Sequence, residues 1–356
     1  MQNLDQYYQL AVSTLKKLIS TPSLSKNEEK VALIIRNTLE NQQYKVNTKK
    51  NNVWAYSKNF QPSKPTILLN SHLDTVKPTD KWTKDPFLPV VEEGKLYGLG
   101  SNDAGGCLVS LMAVFLALDN REQPYNLVFV ASAEEENSGH DGFESIQDEL
   151  GKIDVGIVGE PTLMEMAIAE KGLMVLDCEA EGKTGHAARN EGINAINIAI
   201  QDINWINSFQ FEKISDLLGP VKMTVTQIEA GTQHNVVPAS CKFVVDVRTN
   251  EFYKNEDAFK IIAKNLKSKV SARSFRLNSS GIPLDHPLVK AGLDLGMKWY
   301  GSPTTSDKAI MKGFPTLKLG PGDSARSHTA DEFIWLHEIE SGINKYYELL
   351  NNLKLI

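Results

Sequence analysis

Apolar positions recur along this chain with two periods, and the switches between them mark out its elements. Leu4, Tyr8, Ala11, Leu15 and Leu18 form one stripe at helical spacing, which predicts an amphipathic first helix. Ser25 with Glu28 three residues later is a capping-box signal for a second helix. The largely apolar runs at 67–69, 125–133 and 155–159 read as strands buried on both faces, as in parallel sheets. Residues 107–118 are almost wholly apolar and read as a buried helix. From 173 to 279 the pattern predicts strands at 173–180, 221–228 and 241–248, with helices at 195–208 and 255–267. Strand-helix-strand-strand-helix-strand is a ferredoxin-like order. The expected fold is α/β. A catalytic domain of residues 1–172 and 280–356 has a mixed, mostly parallel sheet flanked by helices, and an α+β domain of residues 173–279 is inserted in it.

The buried runs end in groups that bind metals. His72 and Asp74 are two apart at a strand end, so both face the same side, where a ligating imidazole and its orienting carboxylate would stand. The glycine-rich stretch 98–106 carries Asp103 at the mouth of the apolar helix, a position that also suits an N-cap. It lacks the Lys-Ser/Thr ending of a phosphate loop. Run 125–133 meets Glu134, Glu135 and Glu136. Three carboxylates at a buried edge repel and lose hydration, so they call for a cation. Run 155–159 meets Glu160, and the segment 320–332 contributes His328. Nitrogen and oxygen donors without thiolate suit zinc, cobalt or manganese. His72, Asp103, Glu135, Glu160 and His328 exceed the needs of one tetrahedral ion. They match two ions about 3.5–4 Å apart bridged by one carboxylate. Glu134, left over beside a ligand, reads as the general base.

In this order, from His72 to Glu332, the motifs resemble those of the di-zinc metallopeptidase family of aminoacylases, acetylornithine deacetylases and succinyl-diaminopimelate desuccinylases. The resemblance implies that His72, Asp103 and Glu160 hold one ion, and Asp103, Glu135 and His328 the other. It implies that the inserted domain is a lid and dimerisation module. On that domain, His186 matches a histidine that stabilises the oxyanion, Asn235 an asparagine that contacts substrate, and Arg248 an arginine that grips a substrate carboxylate. Taken alone they read as a loop histidine, a turn residue and an exposed strand charge. The stretch after His186, Ala187-Ala188-Arg189-Asn190, lacks the proline common in the family. Asp307 matches a motif near the substrate pocket, or is a helix N-cap. The implied activity is zinc-dependent hydrolysis of the amide of a small N-acyl amino acid, with an acetylornithine-like deacylation of arginine biosynthesis as the first expectation. A desuccinylase, or a dipeptidase or aminopeptidase with the same metal pair, is the alternative.

Composition narrows the partners. The net charge of −6, without a basic patch interleaved with aromatics, argues against nucleic acid. Cys107, Cys178 and Cys241 lie in apolar contexts and fit neither a disulfide framework nor a thiolate zinc site. His140, His234, His286 and His337 read as structural. The sequence shows no signal-peptide pattern and no apolar run of membrane-spanning length. The expectation is a cytoplasmic homodimer with a small-molecule substrate and no membrane partner.

Overall fold

In the computed structural model, which describes residues 4–355, the buried runs lie side by side as strands of one sheet. Its order in space begins β1 (Val46–Lys49), β2 (Asn52–Tyr56), β4 (Asn126–Ser132), β3 (Thr66–His72), β5 (Val155–Val158) and then Thr316–Lys318. β3 is parallel to both β4 and β5, and Thr316–Lys318 is parallel to β5. β2 is antiparallel to β4. Every residue of β3, β4 and β5 is buried, which is why their sequences carry no polar alternation. Parallel strands end on a common edge, so His72, the Glu134–Glu136 triplet and Glu160 emerge together.

Three helices precede the inserted segment: α1 (Asp5–Ile19), α2 (Glu29–Asn41) and α3 (Gly106–Asp119). α3 packs against α1 and the last helix, Leu336–Leu350, and against β3 and β4. With its leading turn it spans Ser101–Asp119, long and apolar enough to cross a membrane by length and composition alone. That departs from the expectation of no such run. The segment is 94% buried, as the central helix of a core is. On α1 the buried stripe is Tyr7, Ala11, Thr14, Leu15 and Ile19, turned slightly from the expected one. The Ser25–Glu28 capping box does not form: α2 starts at Glu29 without a side-chain cap. Tertiary partners win both side chains, as Ser25 Oγ donates to Asp74 and Glu28 accepts from the amides of Lys26 and Glu134.

The chain divides into two compact units. The first comprises Met1–Ile168, Gly281–Tyr300 and Ser306–Ile356, and the second Ala169–Ser280 with Gly301–Thr305. The second contains β6 (Met174–Glu181), β7 (Lys222–Ala230), β8 (Ser240–Arg248) and β9 (Lys269–Ala272), with α4 (Ala195–Ser208) and α5 (Asn255–Asn265). Its sheet is antiparallel in the order β7-β8-β6-β9, a ferredoxin-like topology. Leu176, Cys178, Phe243 and Val245 of the sheet share a core with Ala199, Ile206, Ala258 and Ile262 of the helices. Residues 301–305 join this unit because Thr305 Oγ1 donates to the Lys171 carbonyl and the Lys171 amide to that of Ser302. No sequence pattern near residue 173 announces that return. The three cysteines are buried and free.

Candidate metal centre

Asp103 divides its carboxylate between two histidines. Its Oδ1 lies 3.5 Å from His72 Nε2 and its Oδ2 3.6 Å from His328 Nε2. Two triads follow, His72–Asp103–Glu160 and Asp103–Glu136–His328, each with its donor atoms within 4.8 Å of one another. Glu160 Oε1 stands 3.9 Å from His72 Nε2, and Glu136 Oε2 3.0 Å from His328 Nε2. Two imidazole nitrogens and three carboxylates, one shared, form a donor set suited to two borderline divalent cations.

Each donor is held from behind. His72 Nδ1 lies 2.9 Å from the Asp74 carbonyl. A carbonyl only accepts, so Nδ1 carries the proton and the Nε2 lone pair faces Asp103 and Glu160. Asp74 is buried, and its carboxylate accepts from Ser25 Oγ at 2.7 Å and from the amides of Glu135 and Glu136 at 3.0 and 3.1 Å. It therefore fixes the backbone of the acidic triplet. The Asp103 segment hangs on Glu332, which is 2% exposed. Its carboxylate accepts from the amides of Gly100, Asn102 and Asp103 at 3.1, 2.8 and 2.9 Å. Gly100 has φ +74, and a Cβ there would meet Thr75 Cγ2 at 2.6 Å, so this turn requires glycine. Asn102 and Asp323 exchange two bonds of 3.0 Å, tying the turn to the segment that carries His328.

The acidic triplet corrects the reading of the sequence by one position. Glu134 takes a left-handed backbone, φ 56, and its side chain folds over Gly139, where a Cβ would collide with the Glu134 carboxylate. Its amide donates to Glu28 Oε1. Glu134, expected as the base, therefore packs on Gly139 and belongs to neither triad. Glu136, not the expected Glu135, joins Asp103 and His328. Glu135 lies between them in sequence, and burial and then the Glu160 carboxylate push its pKa well above the usual range.

The sequence profile of peptidase family M20/M25/M40 matches residues 68–352. The chain belongs to this family. It is 28% identical over 310 residues to an acetylornithine deacetylase of Proteus mirabilis, covering 81% of this chain and 80% of that protein. It is 25% identical to a succinyl-diaminopimelate desuccinylase of Orientia tsutsugamushi, over 96% of this chain and 95% of that protein. Among solved structures, the YxeP protein of Bacillus subtilis, described as a dinuclear metal-binding peptidase of the M20 family, superposes with a TM-score of 0.72. It has 17% identity and covers 99% of this chain and 100% of that one.

The remaining positions of this M20 protein divide by unit. Asp307, expected to bind substrate, is 4% exposed. Its Oδ2 accepts from Asn70 Nδ2 at 3.1 Å and Ser132 Oγ at 2.6 Å. The Oδ2 atom thus ties the ends of β3 and β4 together. Burial raises its pKa to about 6. In the second unit, His186 pairs in register with Val236, and Ala187 donates to the Asn235 carbonyl. His186 and Asn235 thus share one two-stranded ribbon, both exposed. Arg248 is not an open fork: its Nε and Nη2 bind Asp246 at 2.8 and 3.0 Å.

Electrostatics give the metal-free protein a definite pH response. Burial lifts both Glu160 and Glu332 to about 8, and the Glu136 carboxylate lifts His328 to about 9. All three hold a proton more tightly folded than unfolded. Their contribution to stability is complete below the unfolded values, about 4.3 for Glu and 6.5 for His. It is lost as pH rises through the folded ones. Asp74 and Asp103 are lowered and act in the opposite sense only at acid pH. Metal-stripped protein should melt at progressively lower temperature from pH 5 to pH 9. A flat or rising series of calorimetric midpoints would contradict these shifts.

Proposed function

We propose that this M20 hydrolase cleaves the amide bond of a small N-acyl amino acid. The observation that carries the reading is the pair of triads sharing Asp103, with Glu135 beside them as a carboxylate of raised pKa. His72, Asp103 and Glu160 would hold one ion and Asp103, Glu136 and His328 the other, with zinc as the metal. When bound, such a pair supplies Lewis acidity and makes a water nucleophilic near neutral pH. Glu135 takes the proton of the attacking water and delivers it to the leaving amine. Asp74 keeps Glu135 and Glu136 in place through their amides. His186 Nδ1 accepts from the Ala188 amide at 3.1 Å, so the neutral ring carries its proton on Nε2. That N–H is the donor proposed for the developing oxyanion.

The names of the relatives support acyl-amino-acid chemistry and leave two acyl groups, acetyl and succinyl, to be compared. A homodimer is part of the proposal. Its support is β7, an edge strand of nine residues with Ile228 exposed, which offers a pairing edge. A monomer mass in light scattering would remove it. The activity is tested by metal analysis followed by an amine-release assay on acetylornithine, succinylornithine, acetylcitrulline and succinyl-diaminopimelate. Turnover of at least one, abolished by a chelator and restored by zinc, is the expected result. Inertness of metal-loaded protein toward all four, with cleavage of dipeptides instead, would turn the reading to a peptidase.

A further inference from the structure

A cleft of about 680 Å3 lies in the first unit, lined among others by Lys26, Lys50, Glu134 and Gly139. Its size is that of a small-molecule site, and it shares no residue with either metal triad. Glu134 stands out in its wall. The residue is 8% exposed, and its carboxylate lies against Gly139, where any Cβ would collide with it. The turn itself closes through the backbone. The Gly139 amide donates to the Glu134 carbonyl at 2.9 Å, and the Ser138 amide to that of Glu135 at 2.8 Å. Among the described residues nothing donates to the Glu134 carboxylate, and no lysine, arginine or histidine nitrogen stands within 4.0 Å of it.

The lysines of the wall leave it unanswered. Lys50 Nζ lies 3.6 Å from Asp141 Oδ2. The Lys26 side chain is exposed and, among the described residues, has no hydrogen bond or ion pair. A carboxylate withdrawn from water without a partner is costly, and a cation in the cleft removes the cost. Glu134 belongs to no cluster of three metal-binding groups among the described residues, which favours an organic ammonium over a metal ion. An anion has its own place close by. α2 starts at Glu29, three residues after Lys26, without a side-chain cap, and Glu29 also lines the cleft. The first amides of a helix lack intrahelical acceptors, so this start, beside a lysine, attracts a carboxylate.

We propose that the cleft binds a free α-amino acid, its ammonium on the Glu134 carboxylate and its carboxylate at Lys26 and the start of α2. Glu134 directly precedes the proposed base Glu135 and the ligand Glu136, so the occupant bears on the turn that carries both. The proposed amide cleavage releases a free amino acid. That this product is the occupant rests on the proposed function, whereas the ligand class of the cleft does not.

Calorimetric titration of protein freed of metal with 1,10-phenanthroline tests the site with three molecules of similar size. L-Norvaline carries both charges, valerate lacks the ammonium and n-butylamine lacks the carboxylate. Norvaline should bind roughly tenfold tighter than either, or more, as a hydrogen bond to a charged group implies. Glu134→Gln, which preserves the size of the side chain, should bring the norvaline-to-valerate ratio close to one. Lys26→Gln should lower the norvaline-to-butylamine ratio about threefold, the scale of an exposed ion pair; Lys26 is exposed, so the variant keeps its fold. His328→Gln, a change in the metal centre, should leave both ratios as they are. Norvaline that binds no tighter than valerate or butylamine, or a norvaline-to-valerate ratio that Glu134→Gln leaves intact, overturns the inference. No turnover enters these titrations, so inertness toward every N-acyl amino acid would sink the amidohydrolase reading and still leave the cleft decided.

Discussion

Glu135→Gln should lower kcat by about a thousandfold, within the range for loss of a general base, while the protein keeps both metals. Glu134→Gln should stay within a few-fold of wild type. The contrast follows from the turn at Glu134, whose left-handed backbone sends that carboxylate over Gly139. The next residue then carries the catalytic proton and the one after it meets His328. Glutamine matches glutamate in size, so neither change opens a cavity. Steady-state kinetics beside metal analysis by mass spectrometry separate loss of the base from loss of a ligand. Glu136→Gln provides the internal control, because it should cost metal as well as rate. If Glu134→Gln is the inactive variant and Glu135→Gln loses metal, the triplet is read one position too late.

Glu332→Ala should destabilise the metal-free protein by about 3 kcal/mol or more. One carboxylate satisfies three backbone amides in a buried turn, and an orphaned buried donor costs about 1–3 kcal/mol. At about 2–4 °C per kcal/mol for larger domains, the midpoint should drop by roughly 6 °C or more. Metal affinity should fall with it, since the same turn carries Asp103. Glu332→Gln should lie between, as its oxygen can still serve Asn102 and Asp103 while its NH2 faces the Gly100 amide, donor against donor. Calorimetry of the stripped proteins decides the matter. An unchanged midpoint in Glu332→Ala would mean that these amides find other acceptors.

The strand ends were the legible part of this site. His72, Asp103, Glu160 and His328 follow apolar runs or glycine-rich turns, and the fold brings them together. The acidic triplet was not legible in register, because period-two reasoning stops where the backbone leaves the strand, and nothing in Glu134-Glu135-Glu136 marks the residue at positive φ. Glu332 follows Asp331 and looks like a solvated pair. Its role as an acceptor for distant amides leaves no spacing to detect. Ser25 and Glu28 show the converse error: a genuine local capping signal gave way to partners far along the chain. The ferredoxin-like order of the second unit was readable because strands and helices alternate there, whereas the contribution of residues 301–305 to it was not.

The bonds joining Asn102 to Asp323 and Glu332 to Asp103 span 221 and 229 positions of sequence. During synthesis, the ribosome must therefore deliver the whole intervening unit before the two halves of the cation pocket can meet. Until residue 332 has left the exit tunnel, the nascent polypeptide has His72 and Asp103 but neither His328 nor the acceptor that shapes the Asp103 turn. Loading with metal then belongs to the last stage of folding, and a chain lacking its final thirty residues or so, His328 and Glu332 among them, would emerge with its middle unit formed and its chemistry absent.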